Sequence, residues 1–228
     1  MWQLQGFLKG FNLSAMQDKT PLLLERQMKK IVLELSDRDK RLARVIENHP
    51  LCTVGRNPKP GTHFESLVES VISQQLAVKA ADTIHSRVVD LAGGRITPAR
   101  ISKISEPSMR NAGVSGAKFK TIQGLATASI TKTININKLH EIDDDQIIFE
   151  KLTSLWGIGP WTVDMFMMFQ LGRLNIWPTG DLGVRRGWEK IYSLKEEIAP
   201  KDLEKKGEKF SPYRSVVAWY CWRALENK

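Results

Sequence analysis

The stretch Phe149-Glu-Lys-Leu-Thr-Ser-Leu-Trp-Gly157-Ile-Gly159-Pro-Trp-Thr-Val-Asp-Met-Phe-Met-Met-Phe-Gln-Leu-Gly172 decides the fold. Leu152 and Leu155 give the first part an inward face at helical spacing. Gly157-Ile158-Gly159 then predicts a tight turn, and Pro160 opens a second helix carrying Val163, Met167 and Leu171. Two glycines without Cβ atoms let another chain approach the backbone closely. The N–H groups at the start of the second helix form an anion site where a phosphate can sit. Ile158, between the glycines, can plug into the core and fix the turn. An ordinary connection between helices is the plainer reading, because a lone Gly-x-Gly is a weak signal. Leu-x-Gly-Ile-Gly-Pro followed by Trp-Thr is far more specific, and it makes Gly157, Ile158, Gly159 and Thr162 candidate DNA-phosphate contacts.

Outward from the hairpin, the periodicity stays helical. Leu22, Leu23, Leu24, Met28, Ile31, Val32 and Leu35 predict one helix, and Ser36-Asp37 reads as the cap of the next, through Leu42, Val45 and Ile46. His49-Pro50 ends it, since a residue before proline disfavours the α region. Residues 55–61 read as a loop. Phe64 to Leu91 is apolar at helical spacing but interrupted by Gln74 and Gln75, and Gly93-Gly94 closes it. Thr97-Pro98 starts a further helix, Ser115 to Ile130 another, and Asp143-Asp144-Asp145 opens one running to about Leu155. No alternating strand pattern of useful length occurs, so the expected fold is all-α.

The chain has 228 residues, with 34 Lys plus Arg against 25 acids and a net charge of +9. A positive field of this size suits a polyanionic partner, with nucleic acid the commonest. Cys52 and Cys221 are far apart and follow no Cys-x-x-Cys spacing, which argues against a zinc site or an iron–sulfur cluster and for two free thiols in a reducing compartment. The four histidines are scattered. No segment is long and apolar enough to span a membrane, and residues 1–15 lack the apolar run of a signal peptide.

The hairpin resembles that of the helix-hairpin-helix DNA glycosylase superfamily. Three further segments carry the resemblance: Ile72-Ser-Gln-Gln-Leu-Ala-Val78, Trp177-Pro-Thr-Gly-Asp181-Leu-Gly-Val-Arg-Arg-Gly187, and Ser211-Pro-Tyr-Arg-Ser215 with the Trp-rich last helix. It covers about residues 50–226 and is nearest to the alkyl-base members that act on 3-methyladenine. It implies two helical lobes flanking a DNA-binding cleft: residues 62–140, and residues 21–61 with 141–228. Residues 1–20 form an extension outside the likeness.

The resemblance makes Asp181 the catalytic carboxylate. Pro178 and Gly180 before it suit a carboxylate at a helix N-terminus, where the dipole favours the charged form. N-glycosidic cleavage needs such a group, because the sugar becomes cation-like and water must be oriented. By itself, Asp181 would read as an ordinary N-cap. Bifunctional relatives carry a lysine soon after the hairpin glycines, and here Trp161 stands at that position. No amine is available for a Schiff base, so the expected enzyme is monofunctional.

Electron-poor alkylated purines favour aromatic faces. The resemblance places Trp161 and Trp222 at the lesion pocket, with core packing as the alternative, which the sequence favours for Trp219. Met165 stands where an alkyl-base relative has tyrosine. A base must leave the stack before it is cut, and something must fill the gap. Gln75 or Leu76 is the expected wedge, while Gln74 and Lys79 are further candidate DNA contacts. No cofactor is expected, except that the resemblance implies a monovalent cation, Na+ or K+, on the main-chain carbonyls of Thr153, Leu155 and Gly157. The expected partner is double-stranded DNA containing damaged bases, with no membrane, met by a monomer. Two other functions remain open at this point: a helix-hairpin-helix DNA-binding protein without catalysis, and a glycosylase for deaminated or mismatched bases.

Overall fold

The computed structural model describes residues 25–56 and 61–226. The expectations for residues 1–20, for Leu22 to Leu24 and for the middle of the 55–61 loop lie outside the described residues. The helices are α1 (Glu25–Arg38), α2 (Lys40–Glu47), α3 (His63–Ser73), α4 (Val78–Leu91), α5 (Pro98–Ile101), α6 (Glu106–Asn111), α7 (Gly116–Ile130), α8 (Asp145–Thr153), α9 (Pro160–Phe169), α10 (Leu182–Tyr192), α11 (Pro200–Gly207) and α12 (Arg214–Ala224). Short 3-10 turns lie at Ile136–Glu141 and Glu208–Phe210. No strand occurs among the described residues, so the fold is all-α as expected.

The described residues fall into two compact units, 61–166 and 25–56 with 167–226. In the first, α3 is the central helix. Phe64, Leu67, Val68, Val71 and Ile72 are all fully buried, against α4, α7 and the 3-10 turn. Each such side chain contributes about 1.5–3 kcal/mol, so a Leu67→Ala cavity would cost about 2–5 kcal/mol. Thr62 caps α3 by accepting the Glu65 N–H at 3.2 Å. The Phe64 N–H bonds Asn137 Oδ1 at 3.2 Å, and His63 Nε2 lies 2.9 Å from His140 Nδ1, which fixes the helix start to the 3-10 turn. The helices predicted to start near Thr97, Ser115 and Asp143 do so, with Thr97, Ser115 and Asp144 each accepting an N–H from the turn they open.

In the second unit α12 is the central helix, with every residue from Ser215 to Trp222 buried. It crosses α10 at Gly187, where a Cβ would stand 2.0 Å from the Cys221 carbonyl oxygen. Only glycine permits that approach. A second crossing of backbones pairs Gly172 with Gly55, at 2.8 Å from Cβ position to Cα. Trp188 stacks on Tyr192 (4.2 Å) and meets Trp177 edge-on (5.8 Å), so the inner face of α10 is aromatic. Both cysteines are buried free thiols, and burial pushes Cys52 up to about 12.

One boundary differs from expectation. Ser36 does not cap α2: it lies within α1 and returns its hydroxyl to the Val32 carbonyl at 2.7 Å. Asp39 is the cap, accepting the N–H groups of Arg41 and Leu42 at 2.9 and 3.0 Å. Its other oxygen takes Tyr192 and Lys209, at 2.9 and 2.7 Å. These long-range partners, invisible in the local sequence, move the helix start three residues on.

Candidate active site

The second unit builds a carboxylate site from a clamped loop. Ser215, on the first turn of α12, donates its hydroxyl to the Arg173 carbonyl (2.7 Å) and accepts the Ile176 N–H (2.8 Å). Trp177 follows, buried, with its indole N–H on the Leu203 carbonyl at 3.0 Å and its ring filling the space beside Gly207. The chain then turns through Pro178 to Asp181, whose N–H bonds the Pro178 carbonyl at 2.9 Å.

Asp181 is the N-cap of α10, with φ −74° and ψ 123°. Its Oδ1 accepts the Val184 N–H at 2.8 Å and the Trp222 indole N–H at 2.9 Å. The residue is buried to 7% exposure, and Trp222 to 5%. Trp222 also leans on Phe169, with ring centroids 5.8 Å apart. This contact needs Gly183: a Cβ there would come within 2.7 Å of the Trp222 ring and 3.0 Å of Asp181 Oδ1. Asp181 is thus both cap and oriented carboxylate, and Trp222 is the group that orients it. Trp219, by contrast, is a core residue at 3% exposure.

The first unit holds the hairpin and the turn after α3. Ile158 is buried, as a plug should be. Gly157 has φ +81°, and a Cβ there would collide with Thr121 Oγ1 of α7. Gly159 differs, since no described residue beyond its chain neighbours lies within 4 Å of its Cβ position. Thr162 is buried, and its hydroxyl accepts Gln74 Nε2 at 3.2 Å. The same amide reaches the Gly157 carbonyl at 3.5 Å. Gln75 is exposed with φ +56°, a conformation uncommon outside glycine, and Lys79 is exposed on α4.

Leu76, Val78, Ala81, Trp161, Thr162 and Met165 line a cavity of about 70 Å³, with Glu69, Ser70, Ser73 and Asp82 completing its wall. Trp161, Met165 and Leu76 therefore share one cavity within the first unit. Trp161 is 38% exposed and Met165 4%. Trp222 and Asp181 make their contacts in the second unit.

Three features escaped the sequence. Lys118 donates to the carbonyls at the end of α3, Gly183 makes room for Trp222, and Trp156 is 53% exposed with the Lys120 ammonium 4.3 Å from its ring centroid. The lysine contacts carry no local motif. Trp156, sitting beside Gly157, could have been noticed as an unusual residue for a turn.

Residues 68–212 match the model of the HhH-GPD superfamily of base excision DNA repair proteins, and the chain belongs to that family. DNA is accordingly its partner. Among relatives, it is 31% identical over 191 residues to the DNA-3-methyladenine glycosylase 1 of Schizosaccharomyces pombe, across 83% of this chain and 82% of that protein. Among solved structures, a DNA-3-methyladenine glycosidase from Bacillus halodurans superposes with TM-score 0.76 at 34% identity, covering 86% of this chain and 88% of the other. The Schizosaccharomyces pombe 3-methyladenine DNA glycosylase in complex with abasic DNA superposes with TM-score 0.70 at 29% identity, covering 85% and 95%.

Proposed function

We propose that this protein is a monofunctional DNA glycosylase that releases alkylated purines, of the 3-methyladenine and 7-methylguanine class, from duplex DNA and leaves an abasic site. The names of its relatives support the lesion class. The observation that carries the mechanism is the double grip on Asp181 Oδ1 by the Val184 N–H and the Trp222 indole. A carboxylate fixed in this way stabilises the cation-like sugar as the bond from C1′ to the purine nitrogen breaks. The base leaves with the electron pair, and an alkylated base that was cationic leaves neutral. Water then adds its oxygen to C1′ and gives its proton to Asp181. Trp161 at the hairpin offers an aromatic face and no amine, which supports hydrolysis over a lyase step.

Gly157, Ile158 and Gly159 would present the phosphate-binding turn, Gln75 and Leu76 the wedge, and Lys79 a backbone contact. Trp161, Met165 and Trp222 are the base-pocket candidates. The hairpin carbonyls also suit a monovalent cation: among the described residues, Leu155 accepts the Ile158 N–H (3.1 Å) and Gly157 the distant Gln74 amide, each with a lone pair to spare, and Thr153 would complete the set. That ion would brace the turn. The protein would act on damaged duplex DNA as a monomer.

The test is mass spectrometry of bases released from methylated DNA. Asp181→Asn keeps an N-cap of equal quality, so folding should hold while release slows about 10²–10³-fold. Release at the wild-type rate would overturn the mechanism.

A further inference from the structure

The turn between α3 and α4 is held from two sides by groups that no motif assigns. From α7, Lys118 Nζ donates to the Ile72 carbonyl at 2.7 Å and to the Gln74 carbonyl at 2.8 Å. A helix leaves its last carbonyls without partners and carries negative partial charge there, so an ammonium is the fitting cap. Lys118 is half-buried, and that burial lowers the pKa of its ammonium. On the other side the Gln74 side chain leaves the turn and bonds Thr162 Oγ1 and the Gly157 carbonyl, both in the hairpin segment. Between these two anchors stands Gln75, exposed and at φ +56°.

A residue that pushes into a duplex meets a restoring force from stacking of a few kcal/mol. A turn held only by its own backbone would yield to it. We infer that Lys118 and Gln74 are positioning residues that brace the Gln75–Leu76 turn against the hairpin, so that the phosphate grip and base displacement share one rigid frame. This rests on Gln75 and Leu76 being the wedge. Gln74 then acts inside the protein, through Thr162, and not on the DNA. Lys118 likewise spends its charge on carbonyls, not phosphates.

The comparison that tests this uses one methylated base in two settings: normally paired, and opposite an abasic-site analogue where it is already loosened. The variants are Lys118→Met and Gln74→Leu. Each should slow release from the paired duplex about tenfold while the loosened lesion is cut within about twofold of wild type, because the loosened base needs less displacement. Lys118→Arg should restore most of the paired rate. Thermal melting identifies folded variants, and if Lys118→Met does not fold, Gln74→Leu carries the comparison. Equal slowing on both substrates, or no slowing on either, overturns the inference. Gln75→Ala and Leu76→Ala are the controls for the wedge itself. If neither distinguishes the two substrates, the wedge reading fails. If they do and the bracing variants do not, only the bracing fails.

Discussion

The hairpin turn and the α10–α12 crossing both depend on glycines, and for opposite reasons. At Gly159 the missing Cβ leaves open space, with no described residue beyond its chain neighbours within 4 Å. At Gly183 and Gly187 the space is already taken, by Trp222 and by the Cys221 backbone. The first kind of glycine leaves one side of the backbone open, as the proposed phosphate contact needs. The second is a contact surface of the protein itself. Gly157 is of the second kind, with Thr121 filling its side, and it carries a conformational demand as well, because its φ of +81° shapes the turn.

Three glycine substitutions probe this contrast, and a fourth substitution tests the cap of α2. Gly187→Ala should be the most damaging, costing about 3 kcal/mol or more, because backbone cannot yield as a side chain can. Denaturant unfolding measures it, and a wild-type midpoint would show that the helices can separate freely. Gly183→Ala should displace the Trp222 ring and break its bond to Asp181. Losing a hydrogen bond to a charged group is worth about 1.5 kcal/mol or more, roughly a tenfold slower release. Full activity would mean that Trp222 does not orient the carboxylate.

Gly159→Ala should leave stability within about 0.5 kcal/mol of wild type, as for an open surface site, yet weaken duplex binding about tenfold by obstructing a phosphate. Unchanged binding would remove the hairpin from the DNA contact. The smallest effect concerns Asp39 in the second unit. Burial pushes its carboxyl up, but Lys209, the Leu42 N–H and Tyr192 together hold it below its ordinary value. A depressed pKa gives stability that is present above about pH 4, where the unfolded carboxyl ionises, and is lost as pH falls through the folded value. Asp39→Asn keeps the cap but loses the charge that Lys209 and Tyr192 hold, so it should lose about 1 kcal/mol at neutral pH and progressively less as pH falls below about 4, measured as melting temperature against pH.

What the sequence discloses follows the range of the physics involved. The hairpin is local: two glycines, a proline and a plug residue within a few positions set the turn, and it was legible. So was Asp181, whose capping role needs only Pro178, Gly180 and the helix after it. The grip of Trp222 on Asp181 spans 41 positions and that of Lys118 on Gln74 spans 44, and no periodicity reports such pairs. Asp39 outcompeted Ser36 for the same reason, because its partners Tyr192 and Lys209 lie at the far end of the chain. Short helices such as α6 and α11 carry too few turns to show an apolar stripe.

The exposed tryptophans have an optical consequence. Trp156 and Trp161 are 53% and 38% exposed, whereas Trp177, Trp188, Trp219 and Trp222 are all at or below 7%. The two solvated indoles flank the hairpin glycines, and one already carries an ammonium over its ring. Among the described tryptophans, Trp2 lying outside them, the water-relaxed, red-edge emission therefore originates beside the hairpin turn, while the blue component reports the interior. In a Trp2→Phe background, a shift confined to the red edge on adding duplex would read occupancy of the hairpin without any added label.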